Sequence, residues 1–471
     1  MHYPWWHIPF LTSPMLIAII ATFHVFVSLY AVGGGIFLAI ETSRAYRYND
    51  RTMLDYLKNH TWFFILITVV YGAITGVGIW WVISLASPLA TEELIHIFVF
   101  GWAMEYVTFL LEIVSAFIFY YYWGRLDAKT HTTIGWIYAA SAWASLLIIT
   151  AITAFQLNPG SYLEEGGFWT AMLNPQMIPQ VLARTGASLM MASLYVFLHA
   201  SFTFRGMSHL AKNLERRTAR YAMIGAGLIL VGGLFWYLFL PESAQAALVG
   251  AAALNILMIL VAFLSAMVIV MMYFGPYKNP GWVSPGFALL FFLAGISATG
   301  TGEFVREAVR KPYVIYNVVF GHGIYPGEIP KMKREGFLEN GTWTKQYVKA
   351  HYPQLIGGDG KINSLAMLSL EAKQQAEIGH VLFQYHCNDC HAVSGYSGVR
   401  EMTRGWKPDM IRSLIDHLEI SHIFMPPWSG TKEEAEMLTQ FLLSIQEPRP
   451  GGMRYSDLRS IREATAKDRR Y

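Results

Sequence analysis

The chain has 471 residues, of which 54% are apolar and only 14% are charged, and its net charge is +3. A soluble protein carries about twice this share of charge, so a wholly soluble protein is excluded. The near balance of charge gives no reason to expect nucleic-acid binding. Charged residues are sparse up to about residue 305 and dense beyond it, which indicates a membrane part followed by a soluble part.

Eight apolar segments are long enough to cross a bilayer, which takes about 20 residues of helix. The predicted fold class is therefore all-α, a polytopic transmembrane helix bundle followed by a small α-helical domain. We predict spans at approximately 14–41, 61–86, 94–122, 132–156, 179–204, 220–240, 245–274 and 283–305.

Lys and Arg occupy only one of the two sets of segments that connect these spans. The opposite set and residues 1–13 hold none. Because basic residues are retained on the cytoplasmic side, we expect the N-terminus outside and, after eight crossings, residues 306–471 on the outer side as well. The predicted location is a bacterial cytoplasmic membrane with a periplasmic C-terminal part. The basic residues of the connecting segments are Arg44, Arg47, Arg51, Lys58, Arg125, Lys129, Arg205, Lys212, Arg216, Arg217, Arg220 and Lys278.

A few ionisable side chains lie within the predicted spans, where each costs about 2.5 to 3.5 kcal/mol on insertion scales and is a functional candidate. Glu105 and Glu112 are seven residues apart, so both face one side of the third span. The structural alternatives are a hydrogen-bonded imidazole for His24 and ion pairing for the glutamates, and ion pairing is the favoured reading for Glu303. The candidates are His24, Glu105, Glu112, Glu303, Arg306, Glu307 and Arg310.

Both cysteines of the chain, Cys387 and Cys390, belong to one C-x-x-C-H sequence that ends at His391. In this pattern two thiols attach a haem covalently and the histidine ligates its iron. Met425, in a Pro-rich segment, is the candidate second axial ligand. Residues 371–386 and 431–445 are predicted helices, and residues 365–447 resemble a class I cytochrome c domain.

The alternative for the two thiols is a zinc or redox site. Zinc takes four ligands, and only His386 or His422 is placed in the sequence to complete the set. We expect the histidines of this part of the chain, His322, His386 and His422, to be ordinary surface groups.

The first 320 residues resemble subunit I of cytochrome bd-type terminal oxidases. The resemblance rests on Ser-Pro-Met-Leu…Ala-Thr-Phe-His24, on the stretch from Leu111-Glu112 to Gly-Arg-Leu126, on Leu-Asn-Pro-Gln before the fifth span, and on Glu303-Phe-Val-Arg306-Glu307-Ala-Val-Arg310-Lys-Pro-Tyr313. It implies a haem b together with a haem d or a second haem b, and a second membrane subunit as partner.

The resemblance also implies roles for individual residues. His24 would be an axial ligand in the oxygen-reducing haem pair, and Glu307 would be the axial ligand of high-spin haem b. Arg310 would contact haem propionates. Glu112 and Glu105 would lie on the proton pathway, although Glu105 is one residue nearer to Glu112 than the family pattern expects.

The chain departs from that family at several positions. Only residues 240–244 stand where the family has its long quinol-binding loop, and Arg184 stands where a low-spin haem ligand is expected. Met258 falls near a family methionine ligand, although core packing is its favoured reading. The chain has eight spans where the family has nine.

The predicted domains are a membrane domain at 1–312, a linker at 313–364, a cytochrome c-like domain at 365–447 and a charged tail at 448–471. The predicted function is oxygen reduction with protons from the cytoplasm and electrons entering through the chain's own haem c. The electron donor would be external, such as a c-type cytochrome, and membrane lipid would surround the spans. The alternative is a non-oxidase haem b/c electron-transfer subunit. Such a subunit prefers bis-His or His/Met ligand pairs in its spans, and the sequence shows no obvious pair of span histidines.

Overall fold

The computed structural model describes residues 10–204, 209–341 and 343–446. The predicted charged tail lies outside the described residues, as does Arg205. The chain divides into two compact units, which we call the membrane unit and the C-terminal unit. The membrane unit comprises residues 16–84 and 88–319, and the C-terminal unit comprises residues 320 onward with two short segments, up to residue 15 and at 85–87.

Eight helices of the described chain are long and apolar enough to cross a membrane, which confirms the predicted number of spans and the all-α class. Several begin earlier than hydropathy predicts, because polar residues continue a helix beyond the hydrocarbon boundary. The second starts at Arg51 and contains a π-helical turn at Leu66–Tyr71. The spans are Ser13–Arg47, Arg51–Ala86, Val99–Tyr121, Ala128–Phe155, Met177–Thr203, His209–Leu238, Ala252–Tyr277 and Pro285–Val309. Short helices join them at Pro88–Ile97, Tyr162–Glu165, Phe168–Met172 and Glu242–Gly250.

The fifth and sixth spans cross at a pair of glycines. A Cβ atom on Gly186 would lie 2.4 Å from the carbonyl oxygen of Gly225, and a Cβ on Gly225 would lie 2.4 Å from that of Gly186. Small residues at such positions let two membrane helices approach to backbone contact. The fifth span is thereby fixed against the sixth.

The C-terminal unit consists of short helices and turns. The motif helix, Ala372–His386, ends at Cys387, and the closing helix is Lys432–Ser444, so both helices predicted here are confirmed. The other helices are Pro326–Glu328, Ile329–Glu335, Phe337–Asn340, Thr344–His351, Pro353–Leu355, Ser364–Ser369, Val399–Met402, Pro408–Asp416 and Leu418–Ser421. A two-stranded sheet, formed by Tyr313–Ile315 and Val319–Phe320, precedes them in the sequence.

Helix caps explain why the motif and closing helices begin where they do. Glu371 and Gln374 form a reciprocal capping box before the motif helix, and Thr431 and Glu434 form another before the closing helix. Each box satisfies backbone N–H groups that a helix start leaves without partners. The two helices then pack against each other through Gly379, where a Cβ atom would lie 1.9 Å from the carbonyl oxygen of Met437.

Part of the segment predicted as a linker is folded onto the closing helix. The buried Glu434 carboxylate accepts the backbone N–H groups of Phe337 and Leu338 at 2.8 and 2.7 Å. The Tyr352 hydroxyl donates to Glu377 of the motif helix at 2.7 Å. Hydropathy does not predict these contacts, because a charged residue such as Glu434 in the first turn of an amphipathic helix is expected to be exposed to solvent.

Candidate functional site

His24 is oriented by a threonine of the second span. Its Nδ1 atom lies 3.1 Å from the Thr75 hydroxyl, which itself donates to the carbonyl oxygens of Tyr71 and Gly72. The hydroxyl hydrogen is therefore used, and Thr75 accepts the N–H of His24 Nδ1. This assigns the lone pair to Nε2, the arrangement that a metal-ligating histidine needs.

The second span leaves room for this imidazole at a glycine. A Cβ atom on Gly76 would lie 3.1 Å from His24 Cε1, which is tighter than an ordinary contact. The Thr75–Gly76 pair therefore both orients the ring and accommodates it.

Glu105 and Glu112 share a serine of the fourth span. The Ser145 hydroxyl donates to Glu105 at 3.1 Å and also reaches the Glu112 carboxyl. Glu112 lines a cavity together with Ala31 and Tyr138, and the Tyr138 hydroxyl donates to the Ala31 carbonyl oxygen at 3.2 Å. The structure thus places two acids, two hydroxyls and a cavity next to one another, a set that can hold and pass protons.

Two ion pairs follow one another at the end of the eighth span. Arg306 donates to Glu303 at 2.8 Å, as the ion-pair reading of Glu303 predicted, and Arg310 donates to Glu307. Arg310 also donates to the Gln156 side chain at 2.5 Å. Its Nε atom is buried and has no hydrogen-bond partner among the described residues, which fits a further anionic group at this position.

Arg184 and Met258 complete the predicted set in the spans. Arg184 donates to the hydroxyls of Thr150 and Thr153 at 3.0 and 3.1 Å. Met258 lies half-buried on the seventh span. Met258 remains a prediction as far as haem binding is concerned, whereas Arg184 belongs to the stretch that departs from the family's ligand pattern.

A pair of span histidines, which the sequence did not reveal, contradicts our expectation that none is present. Nδ1 of His60 and Nδ1 of His199 lie 3.2 Å apart, and His60 Nε2 lies 3.1 Å from the Tyr30 hydroxyl. His60 was overlooked because the predicted second span began one residue after it. An earlier start of that span, signalled by the Asp50 N-cap, would have brought it into consideration.

In the C-x-x-C-H sequence, the backbone N–H of His391 donates to the Cys387 carbonyl oxygen at 2.7 Å, so the motif forms one tight turn. His391 Nδ1 lies 3.2 Å from the Ser397 carbonyl oxygen. A carbonyl only accepts, so Nδ1 carries the hydrogen and Nε2 the lone pair. The donor set of two neighbouring thiols and an oriented imidazole fits a covalently attached haem.

The surface expectation for the histidines of the C-terminal unit is wrong for two of the three. His322 and His386 are only 8% and 9% exposed, whereas His422 is exposed. Burial lowers the pKa of His322 to about 3. Both nitrogens of His322 and Nε2 of His386 are buried without hydrogen-bond partners in the described chain.

The zinc alternative gains no support from the geometry. Across residues 10–204, 209–341 and 343–446, no group of three or more His, Cys, Asp or Glu is placed to hold a metal ion. Burial, reinforced by neighbouring Cys390, raises the pKa of the Cys387 thiol to about 12.

Comparison with known proteins finds a family and a fold to which the membrane part is similar. No curated protein sequence matches the chain. A solved structure described as "The structure of bd oxidase from Geobacillus thermodenitrificans" matches 64% of this chain and 87% of its own, with 20% identity and a TM-score of 0.54. At that identity the match establishes a shared fold. Residues 13–239 match the family described as "Cytochrome bd terminal oxidase subunit I", and this segment of the chain therefore carries that family's sequence pattern on a bd-oxidase fold.

Proposed function

We propose that the protein is a membrane haem oxidoreductase of the bd type that reduces oxygen with electrons from an external donor. The observation that carries this proposal is the orientation of His24, whose Nδ1–H is accepted by Thr75 so that Nε2 is the ligating nitrogen. His24 lies within the segment that matches the bd family.

The proposal includes two haems in the spans, a haem b and either a haem d or a second haem b. Several residues of the spans would hold them. His24 and Glu307 are the proposed axial ligands, and Met258 is a candidate for a further one. Arg310, with its unpartnered buried Nε, would bind a propionate. When bound, the haems supply one-electron transfer and oxygen binding.

The chain's own contribution to oxygen reduction is to supply protons in a water-poor interior. Glu112 lies at the cavity, and Glu105 is linked to it through Ser145. Carboxyl groups at such positions take up a proton from one side and release it on the other. We assign the final proton-transfer steps to Glu112 and Glu105.

The proposed electron entrance is the C-terminal unit. Cys387 and Cys390 would attach one haem c, and His391 and Met425 would be its axial ligands. The short Glu242–Gly250 helix follows the sixth span directly, so the chain has no long loop there for a quinol. The expected donor is therefore a c-type cytochrome on the periplasmic side, and a second membrane subunit is the expected partner.

The His60–His199 pair bears on the alternative function, a haem b/c electron-transfer subunit without oxidase activity, because such a subunit could use two histidines as haem ligands. Two imidazoles that ligate one metal from opposite sides hold their nitrogens about 4 Å apart, since each metal–nitrogen bond is about 2.0 Å. The 3.2 Å separation of the two Nδ1 atoms is that of a hydrogen bond instead. The geometry therefore favours the oxidase.

Spectroscopy of the purified full chain with its native partners tests the proposal. We expect a covalent haem c, a haem that binds carbon monoxide in the reduced state, and oxygen uptake with reduced cytochrome c. A spectrum of only low-spin b and c haems without carbon monoxide binding would reject the oxidase and favour the electron-transfer subunit.

A further inference from the structure

Three titratable side chains from three different spans form a continuous hydrogen-bonded chain inside the membrane unit. The Tyr30 hydroxyl lies 3.1 Å from His60 Nε2, and His60 Nδ1 lies 3.2 Å from His199 Nδ1. Tyr30 and His60 are completely buried, whereas His199 is half-buried. The chain thus has one accessible end and one enclosed end.

The accessible end lies at the basic side of the bundle. His60 is near the start of the second span, and His199 is near the end of the fifth. The span ends next to these positions carry Arg47 and Arg51 on one side and Lys212 on the other. On the positive-inside rule this is the cytoplasmic side, from which protons are drawn.

This chain has two self-consistent hydrogen-bond orders. In one, His199 donates to His60 and His60 donates to the Tyr30 oxygen; in the other, Tyr30 donates to His60 and His60 donates to His199. A neutral imidazole has one donor and one acceptor nitrogen, so each order pairs a donor with an acceptor at both contacts of the chain. The two orders differ by the concerted shift of protons along it, which is the property of a proton relay.

We infer that His199, His60 and Tyr30 form a proton relay from the basic end of the bundle into its interior. A proton taken up at His199 moves to His60 Nδ1, the proton on His60 Nε2 moves to Tyr30, and Tyr30 releases its own proton inward. One proton enters and one leaves, and rotation of the side chains restores the starting order. This inference rests on the proposed oxygen reduction, which consumes the protons.

The inner end of the relay lies on the first span, which also carries the proposed haem ligand His24. Ala31, the next residue after Tyr30, lines the cavity of Glu112 and Tyr138. Tyr30 is also six residues from His24 on the same helix, or about 9 Å along its axis. The relay therefore ends on the helix that carries the proposed haem ligand and one residue of the cavity at Glu112.

The surroundings of the relay are aromatic. Phe37 and Phe63 pack against the His60 ring with centroids 5.6 and 5.8 Å away, and Tyr56 stacks on it at 5.7 Å. Tyr195 stacks on Tyr30 at 3.9 Å. These rings surround the hydrogen-bonded chain, and the Tyr56 hydroxyl lies 3.4 Å from His199 Nδ1 at its outer end.

The test replaces Tyr30 by Phe in the full chain purified with its partners. Tyr30→Phe keeps the ring and removes the hydroxyl, so we expect an unchanged haem and carbon monoxide spectrum and a fall in oxygen uptake of about tenfold. The solvent deuterium isotope effect on uptake should rise, because proton delivery becomes slower. Tyr46→Phe is the matched control, since the Tyr46 hydroxyl makes an equivalent contact, 3.0 Å from Nδ1 of His131.

The outcomes separate the relay from the proposed function. A Tyr30→Phe enzyme with the rate and isotope effect of the unmodified protein would overturn the relay while oxygen reduction stands. An unmodified protein that takes up no oxygen would overturn both.

If the Tyr30→Phe protein loses its haems, a second variant, His199→Ala, tests the relay instead. His199 is partly exposed, so the rate lost in His199→Ala should be restored by imidazole in the buffer, measured against the effect of imidazole on the unmodified protein. A His199→Ala protein with intact haem spectra whose rate is unchanged, or is lost and not restored, would show that the histidine is structural.

Discussion

Gly379 of the motif helix lies so close to Met437 of the closing helix that a Cβ atom would stand 1.9 Å from the Met437 carbonyl oxygen. We expect Gly379→Ala to separate the two helices and to destabilise the C-terminal unit by about 1 to 3 kcal/mol. Hydrogen–deuterium exchange of the Ala372–His386 amides in the full chain measures the loss. Gly358→Ala, where a Cβ atom meets nothing within 4 Å, is the control, and equal exchange in both variants would contradict the prediction.

The buried His322 makes the C-terminal unit sensitive to acid. Its pKa falls from an unfolded value of about 6.5 to about 3 in the fold. The unfolded chain therefore binds more protons between these values, so the stabilisation is full above about pH 6.5 and is lost as the pH falls toward 3. His322→Phe removes the group and two unpartnered nitrogens, so exchange of the motif-helix amides should depend less on pH; an unchanged pH dependence would rule this out.

We expect Thr75 to affect haem binding only through its hydrogen bond to His24. We expect Thr75→Val to remove the acceptor of the His24 Nδ1–H and to weaken haem retention by about 10- to 100-fold, as removal of outer-shell partners does. Haem content and the carbon monoxide spectrum measure this. Thr301→Val, which removes a hydroxyl that bonds only its own helix at Ser297, should leave both unchanged.

Glu307 and Glu303 offer a matched comparison, because each pairs with an arginine three residues later. If Glu307 is a haem ligand, Glu307→Ala should abolish a high-spin haem signal and leave haem c intact. Glu303→Ala should remove only an ion pair. Identical spectra for the two variants would assign Glu307 a structural role.

Glu112 lies at the cavity, and its replacement should slow proton transfer without disturbing the haems. We expect Glu112→Gln to lower oxygen uptake by about 100-fold or more at unchanged haem content. Glu242→Gln, an exposed acid in a connecting segment, provides the control. Wild-type uptake in Glu112→Gln would remove Glu112 from the proton pathway.

Much of this organisation was predictable from the sequence, because bilayer length and charge asymmetry act over whole segments. The eight spans and the two helices around Cys387 and Met425 follow from such patterns. The contact of His60 with His199 was not predictable, since it joins residues 139 positions apart. The burial of His322 likewise depends on packing between segments that the sequence presents as separate.

The contact between Gly186 and Gly225 restricts which residues can replace either glycine. Each backbone occupies the space that a side chain on the other helix would need. A larger residue at either position must be accompanied by a shift of the whole fifth span, which carries Arg184 and His199. We therefore expect both positions to hold glycine or another small residue among homologues.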